Sequence, residues 1–135
     1  MKVEQVIEAF CDNRRGWTKM SRSLEGKRGY SDWTDGEHYQ LWYNTIAVRD
    51  LPHETRKHAI RVSLAGWDTN LTRGRLNRIS QQLGLDARIT RERYKGRSET
   101  WLYLRSPEGR ERGVRMEAYS WYALYPESDA TIMER

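Results

Sequence analysis

"GWDTNLTRGRLNRI" occupies residues 66 to 79, and its reading places a helix that leaves a strand at the centre of the chain. Leu76, Ile79 and Leu83 recur at the spacing of one buried helix stripe. Gly84 then offers a residue that ends a helix without a Cβ penalty. Thr72 is expected to cap the exposed N–H groups at the start. Gly74, in the first turn, weakens the helix by about 1 kcal/mol relative to alanine, so packing has to hold it. Trp67 and Asn77 are expected to serve as scaffold at this strand-to-helix corner, together with Thr72, Leu76 and Ile79. Arg75, Arg78 and Gln82 form a separate ridge on the same wheel, open to solvent or phosphate.

Working outward, His38 to Val48 is dense in β-formers, and Ala59 to Leu64 alternates Ile60, Val62 and Leu64 with Arg61 and Ser63. With DLPHETRK between them, the two runs read as an antiparallel hairpin. Upstream, Val3, Val6, Ile7 and Phe10 make the stripe of an N-terminal helix, with Asp12, Asn13 and Gly16 as stopping points. Residues 12–36 then read as a long polar loop with isolated Trp17, Leu24, Tyr30 and Trp33, an unusual connection in a compact domain. Downstream, Ala87 to Tyr94 and Thr100 to Leu104 form a second hairpin around Lys95 and Gly96. A two-residue loop sets Ile89 opposite Leu102 but also Glu92 opposite Glu99, whereas a loop extended through Arg97 pairs Arg93 with Glu99 and Arg91 with Trp101. Both registers stay open, and both project Arg91, Arg93, Lys95 and Arg97 at the tip. SPEG at 106–109 reads as a turn before a last strand around Val114 to Ala118. YSWYALY continues as strand or short helix, and residues 127–135 as a frayed tail. The pattern predicts an α+β fold: a small single domain over residues 1–126 whose antiparallel sheet is built from hairpins and packed by an N-terminal and a central helix.

A chain of 135 residues can bury a core without a metal or disulfides. Cys11 is the only cysteine, which excludes an internal disulfide and points to a reducing, cytoplasmic setting. No signal peptide is read in MKVEQVIEAF, and no run approaches the roughly 20 apolar residues of a membrane span. The net charge of +5 is local. Residues 73–97 carry Arg73, Arg75, Arg78, Arg88, Arg91, Arg93, Lys95 and Arg97 against Asp86 and Glu92, a net +6, so the rest of the chain sums to −1.

Catalytic motifs are scarce. HETRKH at 53–58 spaces its histidines by four residues where a zinc protease helix requires two. Asp32, Asp35, Glu37 and His38 offer carboxylates for a magnesium-dependent nuclease, but an Asp-Gly turn before a strand is the preferred reading of them. Cys11 ends a helix, where the dipole does not favour a thiolate. Phosphate-loop, dinucleotide and nucleophile-elbow patterns are absent, so the reading is non-enzymatic, with no cofactor and no metal. The eight basic residues of 73–97 suit a phosphate-tracking surface, since each neutralised phosphate releases counterions. The alternative is a solubilising face whose Arg stems cover apolar surface. In segment 12–36, Arg14, Arg15, Lys19, Arg22, Lys27 and Arg28 interleave with Trp17, Tyr30 and Trp33, a composition able to stack on unpaired bases. No helix-turn-helix pair is present, because a strand precedes the helix at 73.

The order YNTIAVRD, a short strand, GWDTNLTRGRLNRI and TWLYL, within residues 38–118, resembles a family of small uncharacterised phage and mobile-element proteins. Their signature is a GW followed by spaced threonines and an Arg-(Leu/Ile)-Asn helix start. Gly66, Trp67, Thr69, Thr72, Arg75, Leu76 and Asn77 match it. Asp68 departs where the family commonly has a basic residue, and Leu71 where a further threonine is usual. The resemblance implies an α+β fold and a phage-like origin, hence a protein acting by binding in the cytoplasm of a bacterial host. Three functions are expected from this reading. The first is contact with nucleic acid or a host nucleoprotein complex through 73–97. The second is an anti-defence inhibitor of the anti-CRISPR type, anchored on a host protein by Trp17, Trp33, Trp121 and Tyr122. The third and most remote is the metal-dependent nuclease.

Overall fold

Val6 and Phe10 are fully buried on one side of helix α1 (Val3–Cys11), as their spacing requires. The computed structural model describes residues 1–19, 21–22, 28–49, 59–126 and 130–134. After α1 come β1 (Gly16–Trp17), β2 (Ser21–Arg22), β3 (Arg28–Gly29) and β4 (Asp32–Thr34). The stretch 12–36 is therefore not one loop: β1 pairs with β4, and β2 with β3. Its strand character escapes a hydrophobic pattern because the inward side chains of β4 are Asp32 and Thr34, polar and fully buried.

The run 38–48 is itself a hairpin, β5 (His38–Leu41) and β6 (Asn44–Arg49). Its turn residues Trp42 and Tyr43 have φ of +46° and +68°. That is the left-handed pair of a type I′ turn, where Asn-Gly is the usual choice. Arg49 reaches back from β6 to the end of α1, donating to the carbonyls of Phe10 and Cys11 and so satisfying a helix C-terminus with a cation. β7 (Ile60–Val62) pairs with β6 as expected, and the DLPHETRK connection lies outside the described residues.

Helix α2 (Asn70–Gln82) begins one turn earlier than its sequence suggests. Thr69 is the cap: its Oγ1 accepts from the Thr72 N–H at 3.2 Å, and Thr72 is buried inside the first turn. The corner before it needs Gly66, whose φ is +81° and where a Cβ would come within 2.5 Å of the Tyr119 ring.

Beyond α2 stand β8 (Ala87–Tyr94), β9 (Arg97–Arg105) and β10 (Glu111–Arg115), a sheet in the order β10-β9-β8. The two-residue register holds, with Tyr94 opposite Arg97 and Lys95 and Gly96 both at positive φ. Ile89 faces Leu102 in the core, and Glu92 does face Glu99. The like charges are relieved by neighbours. Tyr103 donates its hydroxyl to Glu92 at 2.9 Å, while Glu99 accepts from the Trp101 indole at 3.2 Å and lies 3.6 Å from Arg115.

β11 (Tyr122–Pro126) and β12 (Ala130–Glu134) complete a seven-stranded antiparallel sheet in the order β1-β4-β5-β6-β7-β11-β12. YSWYALY thus resolves as strand from Tyr122 onward, after a turn that includes Tyr119, and residues 130–134, expected as a frayed tail, pair along all of β11. The fold is α+β, two helices packing antiparallel sheets of hairpins, with one main core that joins Phe10, Tyr39, Ile46, Leu76, Leu102 and Leu124. Among the described residues no helix is long and apolar enough to cross a membrane.

Asn77 fastens α2 to this frame. Its amide donates to the Ile89 carbonyl at 2.9 Å and accepts from the Ile89 N–H at 2.6 Å, occupying the backbone edge that β8 turns away from β9. Replacing it leaves two backbone groups of a buried residue without partners, at about 1–3 kcal/mol each. Asn77→Ala is expected to lower Tm and to speed hydrogen exchange at the Ile89 amide more than at amides of β11. Unchanged protection of Ile89 would refute this role.

Candidate nucleic-acid interface

The eight basic residues of 73–97 do not form one surface: α2 turns Arg73, Arg75 and Arg78 to different sides, and the β8–β9 hairpin carries the other five. Arg75 faces β4 and the core. Its Nε donates to Asp32 Oδ2 at 2.6 Å and its Nη2 to Oδ1 at 3.3 Å. Asp32 is fully buried and the Arg75 side chain is 13% exposed. Tyr39 donates its hydroxyl to the same carboxylate, and Ser31 does so at 2.7 Å. Burial, and after it the Asp32 charge, push the Tyr39 hydroxyl pKa up, so it stays a donor. For Arg75, burial opposes the charge, but the bonds to Asp32 outweigh it and raise the pKa. The phosphate-facing role expected of Arg75 is thus corrected to a structural one. Arg78, on the same ridge, reaches Glu4 of α1 at 2.7 Å.

The other side of α2 looks toward β8. Here Asp68 gathers two arginines, bonding Arg73 and Arg91, and accepts from the Thr100 hydroxyl as well. Arg73 also donates to Asn70. One carboxylate is thus shared by two cations, which offsets half of their charge. Arg88 lies on the outer face of the three-stranded sheet, 4.7 Å over the Tyr103 ring and 3.7 Å from Glu111. That face also carries Glu92 and Glu99, so its charges are largely balanced internally.

The tip is different. Arg93, Lys95 and Arg97 are exposed and make no ion pair among the described residues; Lys95 rests 5.4 Å from the centre of the exposed Tyr94 ring. β10 pairs only with Trp101 to Arg105, so the ribbon from Glu92 to Glu99 runs on without a third strand. At about 3.3 Å per residue its four residues a side project roughly 13 Å.

The acidic cluster has other work. Asp32 belongs to the Arg75 network, and Asp35 accepts the N–H groups of Glu37 at 2.9 Å and His38 at 2.7 Å, plus the His38 ring at 3.0 Å. Among the described residues no three His, Cys, Asp or Glu side chains are placed to hold a metal. HETRKH lies outside the described residues. Burial raises the Cys11 thiol pKa to about 11, far from a reactive thiolate.

Of the aromatic anchors expected from sequence, Trp17 is exposed, Trp33 and Trp121 are half-buried, and Tyr122 is core. The sequence reading missed others. Trp42, Tyr43 and Trp67 are 52%, 61% and 60% exposed, so Trp67 is not the packed scaffold expected of it. Trp42, Trp67 and Leu71 wall a cleft of about 430 Å³ whose floor is Leu41, Ile46 and Leu64. No periodicity announces it, since Trp42 and Tyr43 read as strand interior when their backbone is a turn.

Arg75→Met leaves a buried carboxylate short of its cation and is expected to cost about 3–5 kcal/mol by denaturant unfolding. The pair Asp32→Asn with Arg75→Met should recover part of that loss, whereas Arg78→Met, in an exposed pair, should barely shift the midpoint. Equal losses for the two single variants would contradict the distinction.

No family model, curated protein or solved structure matches the chain.

Proposed function

We propose that the protein is a non-enzymatic nucleic-acid-binding protein of phage type, acting in the cytoplasm of a bacterial host on nucleic acid or a host nucleoprotein complex, with the β8–β9 ribbon as its phosphate contact. The observation that carries this reading is the unneutralised charge of Arg93, Lys95 and Arg97 on a projecting two-stranded ribbon. Carboxylates take up Arg73, Arg75, Arg78 and Arg91, yet the tip keeps three cations within five residues. Exposed cations of one sign, with no carboxylate among the described residues to satisfy them, favour a polyanion. A two-stranded ribbon is also of a size that the roughly 12 Å wide major groove admits. The likeness of residues 66–77 to the phage and mobile-element signature agrees with a binding role.

A gel shift across a salt series tests the proposal. Binding to duplex or single-stranded DNA should weaken linearly in log salt. Replacing Arg93, Lys95 and Arg97 together by Gln should flatten the duplex slope by about 2.7, at roughly 0.9 per lost phosphate contact. Absence of a shift at low salt, or an unchanged slope in the triple variant, would overturn it.

A further inference from the structure

Trp42 and Tyr43 occupy the two left-handed positions of the β5–β6 turn, where a bulky side chain strains the backbone and Asn-Gly would fold more readily. Both rings stand more than half exposed. Backbone strain accepted to hold aromatic rings in solvent belongs to binding surfaces more than to folding. The rings have a setting. Tyr43 continues through Tyr30 to the exposed Trp17, with ring centres 6.4 Å apart at each step. On the other side, Trp42 faces the cleft that Trp67 and Leu71 close. Its volume falls among those of small-ligand sites, about 300–1,000 Å³.

The cleft has a polar edge as well as an apolar floor. The Asn44 amide nitrogen donates to the Trp42 carbonyl at 3.1 Å, which leaves its Oδ1 as an acceptor. The cleft's link to the basic ribbon runs through one side-chain contact. Trp67 is followed by Asp68, which Arg91 of β8 grips, and Arg91 shares its face of β8 with Arg93 at the tip. A ligand that fills the cleft and reaches the tip has flat apolar faces, hydrogen-bonding edges and a chain of negative charges.

We infer that the Trp42–Trp67 cleft takes an unpaired base of single-stranded nucleic acid whose phosphates run along Arg93, Lys95 and Arg97. The inference rests on the nucleic-acid reading and narrows it, because paired and stacked bases cannot enter the cleft while an unpaired base can stack on an indole.

The test uses fluorescein-labelled oligothymidine, the same strand with abasic sites, and a duplex of equal length, read by anisotropy. The wild-type protein should bind the intact strand about ten-fold or more tightly than the abasic one. Trp42→Asn and Trp67→Ala should each reduce that difference while leaving duplex affinity and its salt slope unchanged. Trp42→Asn places the preferred residue in the turn, so its Tm should hold or rise and lost affinity cannot be ascribed to unfolding. Equal wild-type affinity for intact and abasic strands, or unchanged affinity in both variants, overturns the cleft assignment and leaves the phosphate contact standing. No binding of any probe by the wild type defeats the nucleic-acid reading itself. A host protein captured from nuclease-treated lysate through Trp42 and Trp67, with strand affinity unchanged, overturns the inference in favour of protein docking.

Discussion

The Asp32 carboxylate is the point on which the architecture turns. It is fully buried in β4, a three-residue strand with no hydrophobic alternation of its own, and it receives donors from Arg75 on α2 and Tyr39 on β5. A buried ion pair offsets the cost of leaving water only when its remaining lone pairs are also engaged. Ser31 and Tyr39 meet that condition here, and the Thr18 hydroxyl accepts the Asp32 backbone N–H at 3.3 Å. The pair therefore does more to fix position than to add stability. It holds α2, weakened by Gly74, at one angle against the large sheet, and Asn77 then holds the opposite side of the same helix to β8.

Once α2 is fixed in this way, the distribution of charge follows. Arg75 and Arg78 must face β4 and α1, and Arg73 must face Asp68. A basic helix ridge cannot then coincide with the basic hairpin, because the helix presents them on different sides. A net +6 over residues 73–97 thus becomes three exposed cations at the tip that make no ion pair among the described residues, with the exposed Arg88 set against an aromatic ring and a nearby glutamate. Local net charge in a sequence measures supply; which cations reach solvent is decided by carboxylates distant in the chain, such as Glu4 and Asp32.

The legible parts of the fold were those where burial and hydrophobicity coincide. Val6 and Phe10 on α1, Leu76 and Ile79 on α2, and Ile89 opposite Leu102 all announce themselves by period. Where buried residues are polar, as Asp32 and Thr34 are, the signal vanishes and β1 and β4 read as loop. The tail failed for a related reason: β12 gains its order from pairing with β11, a long-range partner that no local propensity reveals. At the candidate site the tip cations were legible because a Lys-Gly turn was. The cleft was not, because a Trp-Tyr pair is about the last choice for a type I′ turn.

That mismatch is itself informative. Local preferences and global fold agree through most of a natural sequence, and disagreements collect where something other than folding has been selected. Glu92 opposite Glu99 is a conflict the fold resolves internally, through Tyr103, Trp101 and Arg115. Trp42 and Tyr43 are a conflict it leaves partly unresolved: Tyr43 finds Gly29 and Tyr30 beneath its ring, while Trp42 gains a cleft wall and little burial. Trp67 repeats the pattern one strand away, exposed beside a glycine that the corner requires. Two indoles held in solvent along one apolar cleft, one of them at a backbone cost, are more economically explained by a ligand that covers them than by any demand of the core.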